Sequence, residues 1–223
     1  DTDRSRGLGD VYKRQPYYYG AKNHNITIKE RGASMATPMF IVTGFLDSGK
    51  TTMIKDTLME QEWIEPGLTL LLLCEEGEEE YPEEYLKEKN MAVLKIEEFD
   101  QLNTVFFKNC ERNYHPAQII IEYNGMWKLE DLLSIRYPRS FELQGVYSTV
   151  NGTTLDMYLM NMRNMLMEQL TESELIVVNR CADGVNRSGF RRALKVQNPM
   201  AQLIFEDMQG KICLLYTSDA ADD

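Results

Sequence analysis

Eight consecutive residues, Gly44, Phe45, Leu46, Asp47, Ser48, Gly49, Lys50 and Thr51, run as G-x-x-x-x-G-K-T, and Thr52 follows. That spacing suits the binding of a chain of phosphates. Glycines at both ends let the backbone turn so that successive N–H groups converge on one anion, and a helix opening at Lys50 adds its positive end. Lys50 brings a point charge to β- and γ-phosphates, while the Thr51 hydroxyl is a ligand for Mg2+. A second acid, at the end of a later buried strand, completes the surroundings of such a metal. Glu122 meets that need, because it closes the apolar run 119–121. Gly125 follows three residues on, where its N–H is a candidate sensor of a terminal phosphate.

Recognition of a base is expected at the end of another strand. Residues 174–179 lead into Asn179-Arg180-Cys181-Ala182-Asp183. The order is close to N-K-x-D, in which Asn braces the loop, a Lys stem covers the base and Asp pairs with guanine. Arg180 replaces the Lys tolerably, since a planar guanidinium stacks on a base. Ala182 stands where the Asp is expected, and Asp183 comes one residue late. Guanine recognition by Asp183 and a plain turn around Gly184 are both open readings of this loop.

These groups need a rigid frame, and the chain supplies alternating apolar strands and helices. Strands are expected at 39–43, 68–74, 92–96, 117–123, 143–150, 174–179 and 203–206, with helices at 50–61, 99–111, 129–136, 155–170 and 188–197. The predicted fold class is α/β: a three-layer arrangement with a mostly parallel sheet and helices on both faces. Ligands on such sheets bind at the carboxyl ends of the strands, where every motif above lies.

The 223 residues, 43% hydrophobic and 26% charged, suit one domain with a sizeable core and exclude a disordered chain. The formal net charge is −11, and residues 75–88 alone carry eight Glu against one Lys. The acidity is therefore local, and it argues against nucleic acid as a partner. No apolar run reaches the roughly 18 residues of a membrane span. Cys74, Cys110, Cys181 and Cys213 show neither zinc spacing nor a secreted framework, so a cytoplasmic protein is expected. Residues 1–15 and 213–223 have no usable periodicity. Residues 1–34 read as a non-native arm or a translated leader, 35–212 as the domain, and 213–223 as an artefactual tail.

With these residues in hand, the sequence resembles the CobW family of P-loop GTPases. The resemblance runs from about residue 38 to 210. It rests on Gly44 to Thr52 beside the family's G-F-L-G-S-G-K-T-T, on Ile121-Glu122-x-x-Gly125, on Val178-Asn179-Arg180 and on Asn198-Pro199-Met200-Ala201. It implies GTP and Mg2+ as ligands, slow hydrolysis, and a role in metal handling or cofactor insertion. The implied partner is a metal-receiving client protein or a second copy of the chain. Many members carry C-x-C-C after the second strand, but here the chain reads Cys74-Glu75-Glu76-Gly77 and has no such cluster. Glu78, Glu79 and Glu80 are the candidates for a second divalent ion, and a solvated charge run is the other reading. The resemblance also implies a second, C-terminal domain, which this chain is expected to lack.

Other readings of the site are an ATP-dependent small-molecule kinase, with Arg187, Arg191 and Arg192 as its lid, and a nucleotide-gated interaction module without hydrolysis. Met157, Met160, Met162, Met165 and Met167 wrap around one helix and are expected in flexible core packing. His115 is expected in a turn.

Overall fold

β-branched and aliphatic runs, buried on both sides, make the strands of this protein. The computed structural model describes residues 36–56, 58–60 and 66–216. In chain order the strands are β1 (Thr37–Thr43), β2 (Thr69–Leu73), β3 (Met91–Lys95), β4 (Gln118–Glu122), β5 (Phe141–Asn151), β6 (Leu175–Cys181), β7 (Gln202–Asp207) and β8 (Ile212–Tyr216). They form one sheet in the order β3-β2-β4-β1-β5-β6-β7-β8. All neighbours are parallel except β7 and β8.

Alternate residues of the strands feed opposite faces, as the period of two requires. Phe40, Val42, Leu71 and Ile120 pack on one side with Met53 and Ile54 of α1 (Lys50–Asp56). Met39, Ile41, Leu72 and Ile121 pack on the other with Phe107 of α3 (Thr104–Tyr114) and Leu132 of α4 (Leu129–Leu133). Farther along the sheet, Ile176, Val178 and Phe205 meet Leu166 and Leu170 of α6 (Arg163–Leu170) and Phe190 and Leu194 of α7 (Arg187–Gln197). This is the expected three-layer α/β arrangement. Its register sets the carboxyl ends side by side: Val42 of β1 and Leu73 of β2 both pair with Glu122 of β4.

Several elements differ from the sequence expectation. The expected helix 50–61 runs as α1 and then a short 3-10 turn, Leu58–Glu60, and position 61 lies outside the described residues. The helix expected from 99 begins at Thr104, because the Asn103 side chain accepts from the Val105 and Phe106 N–H groups and caps it there. The helix expected over 155–170 breaks at Met162 into α5 (Leu155–Asn161) and α6. Both helices pack on the sheet, α5 by buried Leu155 and α6 by buried Leu166, Met167 and Leu170, while Met157 and Met160 of α5 are exposed. Core packing thus holds for Met167 but not for that pair.

Two elements were not expected. α2 (Glu83–Glu88) follows Pro82, which pre-sets the entry of a helix whose first turn is acidic. β8 lies in a stretch without alternation and is recruited by the edge of β7. His115 ends α3 in the left-handed conformation at φ 45°, a turn position as expected. The expected arm 1–34 and residues 217–223 lie outside the described residues.

Candidate functional site

The loop between β1 and α1 is built from backbone conformations that side chains resist. Gly44 has φ 137°, and a Cβ there would come within 2.3 Å of the Thr149 carbonyl oxygen. Gly49 has φ 98°, with the Asn179 amide 2.6 Å from where its Cβ would be. Between them Asp47 takes φ 55°, a left-handed position that Asp tolerates better than most residues. The loop is braced from the neighbouring strands. Ser48 Oγ and Thr149 Oγ1 share a hydrogen bond of 2.7 Å. Asn179 Nδ2 donates to the Ser48 carbonyl at 2.7 Å, and Arg180 Nη1 donates to the Asp47 carbonyl at 2.7 Å. Arg180, itself at φ 53°, stands beside the loop it braces.

Lys50 is almost fully buried, at 4% exposure. Its ammonium donates to the carbonyls of Gly44 (2.9 Å) and Phe45 (3.0 Å) and forms a 2.6 Å ion pair with Glu75. Thr51 Oγ1 donates to Glu122 Oε1 at 2.7 Å, and the Tyr81 hydroxyl donates to the other oxygen of Glu122. Burial pushes the Glu122 carboxyl up from its ordinary value, against the pull of the Tyr81 and Thr51 hydrogen bonds and of Lys50. The Tyr81 hydroxyl is also pushed up, by burial first and then by the Glu122 charge, so it stays a donor. Burial, with Glu122 nearby, pushes the Cys74 thiol up to about 12, which keeps it protonated at neutral pH.

The segment 75–81, at the carboxyl end of β2, lies across this loop. Glu79 accepts from Thr52 and forms an ion pair with Lys55 at 2.9 Å. The Glu78 N–H donates to Asp47 Oδ1 at 3.2 Å, and Glu76 pairs with Lys95 on the outer side. Three of the clustered glutamates are therefore neutralised by lysines of the same chain. Among the described residues no three His, Cys, Asp or Glu side chains converge as a metal site, so Glu78, Glu79 and Glu80 do not form a prepared cage.

A cavity of about 310 Å3 opens here. It is lined by Leu46, Asp47, Gly49, Lys50 and Thr51 of the loop, by Glu75, Gly77, Glu78 and Glu79, and by Glu122 and Arg180. Other sequence-derived candidates stand elsewhere. Phe45 is buried against Tyr158, ring centroids 4.6 Å apart, and Ser48 is buried in the loop's bracing. Gly125 lies under the loop, where a Cβ would come within 2.2 Å of the Gly44 carbonyl oxygen, rather than along the cavity. Asp183 sits exposed in the turn after β6 and does not line the cavity. Glu75 and Tyr81 were not legible as site residues, because their contacts join segments far apart in sequence. For magnesium, the Thr51 hydroxyl and the Glu122 carboxylate supply adjacent hard oxygens, the donor chemistry that ion selects.

The comparisons with known proteins bear on the family and the fold. The family model for the CobW/HypB/UreG nucleotide-binding domain matches residues 38–205. Among solved structures, the fold is similar to a triple mutant of Zn(II)-bound YjiA GTPase, with TM-score 0.57 and 18% identity over 82% of this chain and 62% of that one. It is similar to Zn(II)-bound YjiA GTPase from E. coli, with TM-score 0.55 and 17% identity over 84% and 59%. A third is hydrogenase maturation factor HypB from Archaeoglobus fulgidus, with TM-score 0.51 and 14% identity over 92% and 90%. The chain thus spans about three fifths of the YjiA structures. No curated protein matches it. At these identities the solved structures speak for the fold. The family match takes in the phosphate loop, Glu122 and Asn179 together, and the chain belongs to the CobW/HypB/UreG nucleotide-binding family.

Proposed function

We propose that this domain binds GTP with Mg2+ and hydrolyses it, and that the nucleotide state governs the handling of a metal for a client protein. The observation that carries the reading is the Thr51–Glu122 pair beside buried Lys50 at the floor of one cavity. Lys50 would hold the β- and γ-phosphates once its ammonium turns from Glu75, and the loop N–H groups would cradle the same anions. Thr51 and Glu122 would hold the Mg2+, whose chemistry is to withdraw charge from the phosphate oxygens. In hydrolysis a water oxygen bonds to the γ-phosphorus as the bond to the bridging oxygen breaks, leaving GDP and phosphate. Among the described residues that line the cavity there is no Gln or His to orient that water, which supports slow turnover without a partner.

Arg180 beside the cavity supports stacking on a base, whereas the exposed Asp183 leaves the discrimination of guanine to the experiment. The metal role is supported by the family and by the Zn(II)-bound state of the YjiA structures. Glu79 is held by Thr52 and Lys55, so a second divalent ion at Glu78, Glu79 and Glu80 requires segment 75–81 to open. The client or homodimer stands on family membership, with a hydrogenase maturation factor among the similar folds. Nothing favours the kinase reading: Arg187 donates to the Cys181 carbonyl, and the three arginines lie outside the cavity lining.

Competition between GTP and ATP for a fluorescent guanine nucleotide tests this directly. GTP is expected to displace it at least about tenfold more effectively, a difference of roughly 1.4 kcal/mol. Equal displacement by ATP would remove guanine from the proposal.

A further inference from the structure

A buried amide outside the cavity lining joins the two segments that meet beneath the phosphate loop. Gln169, near the end of α6, is 2% exposed. The Thr43 hydroxyl donates to its Oε1, and its Nε2 donates to the Trp127 carbonyl at 2.7 Å. The amide serves both partners in one orientation only, because reversal would set its oxygen against the Trp127 carbonyl. The Gln169 backbone is fixed as well. The Ser148 hydroxyl donates to its carbonyl at 3.1 Å, from the position on β5 that pairs with Thr43 of β1.

Both partners of the amide sit where a strand gives way to the site. Thr43 ends β1, and Gly44 follows it to open the phosphate loop at φ 137°. Trp127 closes the turn 124–127 that carries Gly125 beyond β4. Within that turn the Met126 N–H donates to Asn124 Oδ1 at 2.9 Å, and the Trp127 N–H donates to the Asn124 carbonyl at 3.1 Å. Turn and loop touch without slack: a Cβ at Gly125 would come within 2.2 Å of the Gly44 carbonyl oxygen and 2.9 Å of the Phe45 Cα. The far half of the loop has its own braces in Thr149, Asn179 and Arg180, whereas Gly44 and Phe45 meet this turn.

We propose that Gln169 is a positioning residue for hydrolysis, which holds the start of the phosphate loop and the Gly125 turn at one spacing. It touches neither nucleotide nor metal and acts through Thr43 and Trp127. Under the proposed nucleotide reading, the Gly125 N–H meets the terminal phosphate. Such a donor stabilises the transferring group only while its place is held to a fraction of an ångström. A diphosphate is gripped by the loop N–H groups and Lys50, which keep their own braces when the turn slackens. Loss of the amide therefore slows phosphoryl transfer and spares diphosphate binding. The inference rests on the nucleotide reading of the site and adds to it a residue of α6 that no phosphate-loop pattern marks.

The test measures single-turnover phosphate release from GTP with Mg2+, binding of fluorescent GDP, and hydrogen exchange, on the full chain and its variants. Gln169→Met keeps the length of the side chain and removes both hydrogen bonds. Thr43→Val keeps the shape of one partner and cuts one bond, so it carries the same test if Gln169→Met does not fold. Asn198→Ala is the control, since Asn198 ties down the same end of α6 through Leu170 and Thr171 without touching Thr43 or Trp127. Gln169→Met is expected to slow release by about tenfold while GDP affinity stays within about twofold, the mark of a contact that matters in the transition state. Thr43→Val is expected to slow release by about threefold, and the double variant to be no slower than Gln169→Met, because the two share one contact. Asn198→Ala is expected to lower Tm yet keep the rate within about twofold. The Met126 and Trp127 amides are expected to exchange at least about tenfold faster in Gln169→Met, relative to the β4 amides of the same protein, a readout that needs no hydrolysis. Unchanged release in Gln169→Met, equal slowing in Asn198→Ala, a parallel loss of GDP affinity, or unchanged exchange in the turn overturns the inference while the nucleotide reading stands. Absence of nucleotide binding by the parent overturns both.

Discussion

Lys50 points its ammonium back at the Gly44 and Phe45 carbonyls and at Glu75, so the cation is fully engaged before any phosphate arrives. Burial makes this necessary, since an unpaired ammonium at 4% exposure would be costly. Replacement by alanine removes the ammonium and leaves the Glu75 carboxylate, 11% exposed, to turn toward water. Lys50→Ala is therefore expected to stay folded and to bind GTP at least about 30-fold more weakly, from the loss of roughly 2 kcal/mol of charged contact. Isothermal titration reads the affinity, and thermal denaturation shows that the fold persists. Much of this site was legible in the sequence for a local reason. The loop's turn, its two glycines and Lys50 follow each other along the backbone, and Glu122 is marked by the strand it ends. Glu75 and Tyr81 could not be read that way. Their partners lie 25 and 41 positions away, and only the sheet register brings them together. The N-K-x-D comparison reached Asn179 and Arg180, which do brace the loop, but not the place of Asp183, because the turn at Gly184 carries it outward.

At the scale of elements, Asn198 shows how a short motif fixes packing rather than chemistry. Its Nδ2 reaches three carbonyls at the end of α6 and beyond, those of Leu170 (2.8 Å), Thr171 (2.9 Å) and Ser173 (2.7 Å). Its Oδ1 accepts from the Ala201 N–H at 3.0 Å. One side chain thus ties α6, the entry to β6 and the entry to β7. Asn198→Ala leaves buried carbonyls without their donor and is expected to cost about 2–4 kcal/mol, a fall in Tm of several degrees. Nucleotide affinity should be preserved, because these contacts lie at the opposite end of β6 from the cavity. Scanning calorimetry and a binding titration on the same sample check both halves. The strands were legible within a residue or two, since strands buried on both faces read as continuous apolar runs. The break at Met162 was not, because nothing local stops the helix there; α5 and α6 each send their own side chains, Leu155 and Leu166 with Leu170, into the same core. β8 escaped notice because its pairing is with an edge, and an edge recruits residues without alternation.

Across the whole molecule, one half-buried carboxyl far from the nucleotide end makes stability depend on pH. Glu174 enters β6 at its amino end, where its N–H bonds the Val146 carbonyl and its own carbonyl accepts from Gln202. Burial pushes its carboxyl up to about 7. A raised acid favours the protonated form in the folded state, so its contribution is fullest below the ordinary value. That stability is lost as pH rises between about 4.5 and 7 and is flat beyond. Glu174→Gln is expected to remove this slope, giving a higher urea midpoint than the parent at pH 8 and little difference at pH 4.5. Equal midpoints at pH 8 would remove Glu174 from the account of stability. The central claim concerns the other end of the sheet, where Thr51 and Glu122 meet beneath Lys50. Its most direct measurement is phosphate release from GTP in a single turnover with Mg2+, for the parent chain and for Glu122→Gln. The parent is expected to release one phosphate per bound GTP. The variant is expected to be slower by about 100-fold, with GTP affinity changed less than about tenfold, since charge near the transferring phosphoryl matters most in the transition state. Hydrolysis by Glu122→Gln at the parent's rate, or none by the parent, would contradict the assignment.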